Sequence, residues 1–394
     1  MNRWIIITLV KALGLSTLAV LLASAGAGAE AVQRLDGSPL TSASIDATVN
    51  ELMKTAGVPG LALALINDGK VAWVRAYGQR DIKKNLPLQT DTVMYGASLT
   101  KATFAYFVMQ LVDEKKLDLD RPIGAYLPRR LPEYPRYREL AGDVRWQKLT
   151  MRMLLDHSTG FANFRWLDDG RKLRFHREPG ERYGYSGEGI LLAQFVIEEG
   201  LKLDVGPEMQ RRIFERFGMK RSSMQWRKDF AVNYAEGYTL EGELQPHDRR
   251  DNVNAAGSMD TTVDDWSRFL AAVARGDGLS GAAKAEMARR QIEIDSVRQF
   301  PTLLPERTDR WKSIGLGYGL GWGVFETKYG AAYFKEGHDD GTANYALCVL
   351  RDCILLMSNS TRAERIFVPL VKRLFGDVPI PAAWEGYLES PEPG

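Results

Sequence analysis

Apolar, β-rich runs crowd both ends of this chain, and a long helical stretch separates them. Residues 61–66 and 71–77 flank Asn67-Asp68-Gly69, and an Asx-Gly pair between such runs is a strong hairpin signal. Toward the other end, residues 315–325 are rich in glycine and aromatics, and 345–350 and 353–359 read as further strands. Between about 117 and 301 the pattern is helix and loop. Strands this far apart in sequence cover their edges and faces only by joining one sheet. The expected fold is therefore α+β, with an antiparallel sheet drawn from both chain ends and a mostly helical subdomain inserted. The sheet region is expected at about 44–95 and 315–375 and the helical part at about 96–310, all within one unit, 30–394. Residues 44–56 and 361–375 read as terminal helices.

The N-terminus follows other rules. Arg3 precedes an apolar stretch broken by Lys11, then residues 12–23 form a hydrophobic region, and Ala25, Gly26, Ala27, Gly28 and Ala29 follow. This is the pattern of a secretory signal peptide, 1–29, cut after Ala29 or Ala27. The uninterrupted apolar run is too short to span a bilayer, so no stable membrane anchor is expected after cleavage. The mature protein is expected in the periplasm or outside the cell.

Charge excludes one class of partner. The chain carries 52 Lys and Arg against 50 Asp and Glu, a formal net charge of +2, so no nucleic-acid binding is expected. The two cysteines, Cys348 and Cys353, fall on the last two expected strands. A two-residue turn at Arg351-Asp352 would set Leu350 opposite Cys353 and leave Cys348 a diagonal neighbour. That spacing is too long for easy bridging, so two unpaired thiols are expected. None of the four histidines has ligand-like spacing to them, and no metal or organic cofactor is implied.

The chemistry centres on Ser98-Leu99-Thr100-Lys101, which is the chain's one Ser-x-x-Lys. Phe104, Phe107, Val108, Leu111 and Val112 continue it at helical spacing. Residues three apart share a helix face, so a hydroxyl and an amine would sit together on the first turn. A nucleophile beside a base is the minimum equipment for acyl transfer. Ser98 as a plain N-cap with a solvated Lys101 is the competing reading. Tyr185, in Tyr183-Gly184-Tyr185-Ser186-Gly187, precedes an apolar run at 190–197 that reads as a buried helix. Lys335-Glu336-Gly337-His338-Asp339-Asp340-Gly341 precedes the last strands. His157, after Asp156, invites a Ser-His-Asp reading, but the Gly-x-Ser-x-Gly elbow of α/β-hydrolases is absent.

These segments, in this order, resemble the class C β-lactamase-like serine hydrolases. That group includes low-molecular-weight penicillin-binding proteins, D-alanyl-D-alanine carboxypeptidases, D-aminopeptidases and esterases. Ser98-x-x-Lys101 is similar to the first motif. Leu154 to Phe161, Pro179-Gly180-Glu181 with Tyr185-Ser186-Gly187, Asn254 to Phe269, and Tyr318 to Trp322 are similar to further family segments. The likeness runs from about Ser44 to Phe375. It implies Ser98 as nucleophile, Lys101 as its activating partner and Tyr185 as proton shuttle. The implied oxyanion donors are the amides of Ser98 and of a residue near Gly341. For the third motif two registers compete: one begins at His338, which is favoured, and the other at Lys335. Two departures stand out: Gly187 replaces the usual Asn, and Asp340 falls where Gly is usual in the His338 register. An acidic edge disfavours carboxylate-bearing β-lactams. The expectation is thus an exported serine hydrolase acting on an ester or amide of a small molecule or short peptide, as a carboxylesterase or D-peptidase. A true β-lactamase or D-Ala-D-Ala carboxypeptidase is the first alternative. A non-catalytic relative that binds cell-wall fragments is the second.

Overall fold

A computed structural model describes residues 32–387. The expected signal peptide, 1–29, lies outside the described residues. Nine strands form one sheet: β1 (Gly60–Asn67), β2 (Lys70–Asp81), β3 (Leu86–Pro87), β4 (Ile292–Glu293), β5 (Gly317–Tyr318), β6 (Gly323–Thr327), β7 (Gly330–Asp339), β8 (Thr342–Val349) and β9 (Asp352–Ser358). Their spatial order is β4-β5-β6-β7-β8-β9-β1-β2-β3, and neighbouring strands run antiparallel. β9 pairs with β1, with Ile354 opposite Leu65, and this seam joins the two ends of the chain.

Helices cover both faces. The principal ones are α1 (Ser42–Ala56), α2 (Leu99–Asp113), α3 (Gly187–Gly200), α4 (Val263–Arg275) and α5 (Glu364–Leu370). Side chains alternate across a strand. Leu61, Leu63 and Leu65 therefore join Ile45 and Val49 of α1 and Ile366, Phe367 and Leu370 of α5 in one core. Ala62, Ala64 and Ile66 face α2 and α4 in the other. A strand covered on both faces has no polar side to show, which is why 61–66 is a continuous apolar run.

One competing reading and one expectation are corrected here. Every residue of α2 from Leu99 to Leu111 is buried, so the helix runs through the protein interior. Lys101 is consequently not solvated. The β8–β9 turn is also shifted by one residue. Val349 pairs with Asp352, so Leu350-Arg351 forms the loop and Cys348 lies directly opposite Cys353. The two form a disulfide with a Cα separation of 4.1 Å. Leu350 adopts φ 56° and is exposed, an unusual place for a bulky apolar residue.

Candidate active site

The backbone turns sharply into α2. Ala97 holds φ 45°, a left-handed conformation that non-glycine residues rarely adopt. Ser98 follows at the N-cap, but its side chain makes no capping bond. Its Oγ instead accepts a hydrogen bond from Lys101 Nζ at 2.9 Å. Lys101 Nζ also donates to the carbonyl of Ala256. Lys101 is 1% exposed. Burial holds its amine well below the usual lysine range, the positive charge of Lys335 adds to this, and the Glu336 carboxylate opposes it. An amine depressed this way can accept a proton from the hydroxyl beside it.

Tyr185 forms the opposite wall. Its ring centroid lies 5.0 Å from Lys101 Nζ and 5.1 Å from Lys335 Nζ. Its hydroxyl accepts a hydrogen bond from Lys335 at 3.4 Å and is within hydrogen-bonding reach of Ser98. Burial, then the charge of Glu336, push the phenol well above its usual range, with the Ser98 contact opposing. The phenol therefore keeps its proton.

His157 is a scaffold for this tyrosine. It is fully buried with φ 61°, and its ring centroid is 4.4 Å from that of Tyr185. Its Nδ1 accepts from the Ser186 N–H at 3.2 Å, and its carbonyl accepts from Gly184 N–H at 2.8 Å. Burial holds the imidazole well below its usual pKa. Asp156 is engaged by the Ser158 N–H and hydroxyl rather than by the His157 ring, and burial pushes its carboxyl up to about 7. The Ser-His-Asp arrangement is not formed.

β7 supplies the third wall, and it corrects the favoured register. The side chain brought to Tyr185 is that of Lys335, not His338. Lys335 is fully buried, and Nζ also reaches Glu336 Oε1 at 2.8 Å and the Glu336 carbonyl at 2.9 Å. The His338 ring turns instead toward Phe300, with centroids 5.8 Å apart, and toward Glu364. Gly337 abuts α2: a Cβ there would meet Gly96 O at 2.7 Å and Leu99 N at 3.0 Å.

The strand register also locates an open amide. A Cα separation of 4.1 Å marks Cys348–Cys353 as a non-hydrogen-bonded pair, so Cys348 bonds toward β7. Cys348 pairs with Tyr333, hence Tyr333, Lys335, Gly337 and Asp339 point their peptide groups at β8. Glu336 and His338 point theirs the other way, where β6 has ended at Gly323 opposite Phe334. The His338 N–H thus points away from β8, past the end of β6, and His338 and Ser98 line the same cleft. Gly341 cannot serve here, because its N–H donates to Thr361 Oγ1 at 3.0 Å.

These walls enclose a cleft of about 780 Å³. Phe164, Trp166 and Leu167 line one side, with Phe164 stacked on Trp166 at 4.2 Å. The departure at Gly187 has a steric origin. A Cβ at 187 would lie 2.3 Å from the Phe164 ring. Arg165 fixes that loop through three bonds to Glu188, from its backbone N–H at 3.0 Å and from its guanidinium at 2.9 and 2.8 Å. A carboxamide still lines this wall, contributed by Asn163, whose Oδ1 accepts from the Gly187 N–H at 3.0 Å. Gly187→Asn is expected to destabilise the fold by about 1–3 kcal/mol through overpacking. Adding Phe164→Ala to the same chain should recover most of that loss, as thermal melts of the three variants will show. Glu336, Phe164 and Asn163 were not singled out from sequence. In sequence Glu336 is only the middle residue of the Lys335-x-Gly337 register.

Comparison with known proteins agrees with this architecture. The family model described as Beta-lactamase matches residues 45–369. The Serine beta-lactamase-like protein LACTB, mitochondrial, of Bos taurus is 32% identical over 108 residues, covering 27% of this chain and 18% of that protein. A D-aminopeptidase of Brucella anthropi is 26% identical over 243 residues, covering 59% of this chain and 46% of that protein. Both matches span less than half the relative's own length. The crystal structure of D-alanine carboxypeptidase AmpC from Burkholderia cenocepacia superposes with a TM-score of 0.66 at 19% identity, over 85% of this chain and 99% of that one. With the family model covering most of its length and this fold around Ser98, the chain belongs to the Beta-lactamase family.

Proposed function

We propose that this chain is an exported serine hydrolase that cleaves an ester or amide through an acyl-enzyme on Ser98. The observation that carries this reading is the 2.9 Å bond between Lys101 Nζ and Ser98 Oγ, made by an amine whose pKa is depressed by burial. Ser98 Oγ attacks the carbonyl carbon, and its proton passes to Lys101. Tyr185, protonated and held by Lys335, gives its proton to the leaving group and is recharged from Lys101. The N–H groups of Ser98 and His338 receive the developing oxyanion. Hydrolysis of the ester intermediate reverses these transfers. The likeness to a D-aminopeptidase supports an amide or ester of a small molecule or short peptide. The disulfide supports export, since such bonds persist in oxidising compartments.

The test is a substrate panel of p-nitrophenyl esters, D-alanine amides and a chromogenic cephalosporin, with Ser98→Ala as control. Turnover of an ester or amide that is lost in Ser98→Ala supports the reading. Activity that survives Ser98→Ala, or no turnover of any of them, contradicts it. Efficient cephalosporin turnover would instead favour a true β-lactamase.

A further inference from the structure

We propose that the cleft selects acyl substrates whose charged flank is an ammonium group and turns away those bearing a carboxylate, with Glu336 setting the preference. This rests on the acyl-serine reading above. An ammonium has three N–H donors. Lys335 directs its donors at Glu336 Oε1, the Glu336 carbonyl and the Tyr185 hydroxyl, at 2.8, 2.9 and 3.4 Å. None is left to grip a substrate anion, and the lysine charge is cancelled by the carboxylate it touches.

Glu336 itself lines the cleft, and its side chain is 2% exposed. Oε1 accepts from Lys335 and from Gln299 Nε2 at 2.8 Å, while Oε2 has no protein partner. The pair carries no net charge, but Glu336 lines the cleft and Lys335 does not, so its negative end, with one carboxylate oxygen unmatched, is turned to this wall. Asp339, Asp340, Glu364 and Asp248 line the same cleft. The basic side chains lining it are committed elsewhere. Arg250 lies over the Tyr95 ring at 3.8 Å with Nε 3.2 Å from Asp248, and Lys101 is bound to Ser98 and Ala256. Phe164, Trp166 and Leu167 give the cleft an apolar side, and Phe300 packs on Tyr185 and His338. An acyl chain with an amine at one end matches both walls.

The experiment uses three alkyl fluorophosphonates of equal length, ending in trimethylammonium, methyl or carboxylate. Each reacts by forming the Ser98 Oγ–P bond as fluoride leaves, with the proton passing to Lys101. Second-order inactivation rates of the full chain are compared. The ammonium probe is expected to react about 30-fold faster than the carboxylate probe, with the methyl probe between. In Glu336→Gln that ratio should fall about 10-fold, whereas a merely structural loss would slow all three alike. Raising salt to 1 M should shrink the wild-type ratio, a readout that does not depend on the variant folding. Equal rates for the two charged probes, or a ratio indifferent to Glu336→Gln in a folded variant, would overturn the inference. Failure of the neutral probe to modify Ser98 would instead defeat the acyl-serine reading beneath it.

Discussion

Lys101→Ala is expected to lower kcat/KM by about 10⁴-fold while the protein stays folded, since removing one member of a nucleophile–base unit costs on that order. The reason is electrostatic. A lysine amine at its ordinary pKa would be charged at neutral pH and could take no proton. In this fold burial depresses it, with Lys335 adding to the effect. The wild-type rate should therefore rise with pH through the depressed Lys101 value and fall below it, where the amine becomes charged. That limb should vanish in Lys101→Ala. Lys101→Arg should be equally inactive, because a guanidinium stays protonated.

Stability should follow pH in the same direction. The folded pKa lies below the unfolded one, so between the two values the unfolded chain binds more protons. Stability then rises with pH across that window and is lost as pH falls toward the folded value. Lys101→Met removes the cost of burying the amine and is expected to raise stability by about 1 kcal/mol at neutral pH. Urea unfolding beside the activity assay separates this from a folding defect.

Gly337→Ala is expected to cost about 10²-fold in kcat/KM with its Lys, Tyr and Ser partners all intact, the usual consequence of a small misplacement at a reacting centre. The new Cβ would sit 2.7 Å from Gly96 O and 3.0 Å from Leu99 N. Both neighbours are backbone, so the start of α2 must shift and carry Ser98 away from the β7 edge. The expected destabilisation is only about 1–3 kcal/mol, typical of overpacking. Rapid-mixing kinetics should place the loss in the acylation step. A variant with wild-type acylation would show that β7 and α2 need not touch this closely.

The broad architecture was legible because two-sided burial and Asx-Gly turns leave strong local marks, as in β1 and β2. The Ser98–Lys101 pair was legible because helical periodicity fixes which side chains share a face. Other features depended on contacts between distant segments. The β8–β9 turn was misplaced by one residue because Leu350, an exposed leucine at positive φ, disguises the loop. That slip alone turned a directly paired Cys348–Cys353 into an expected diagonal one. The His338 register rests on Thr342 and Tyr345, which then fall into place downstream. Side-chain direction along β7 decided otherwise, bringing Lys335 to Tyr185. The loss of Asn at 187 looked like damage in one dimension, but Phe164, 23 residues upstream, fills the space a side chain would need.

Rapid acid quench of the protein with a p-nitrophenyl ester, followed by peptide mass mapping, tests the site most directly. The expected result is an acyl mass increase on the peptide containing Ser98, built up within the first turnover and absent from Ser98→Ala. Acylation of a different residue, or product release with no acyl adduct at any time point, would contradict it.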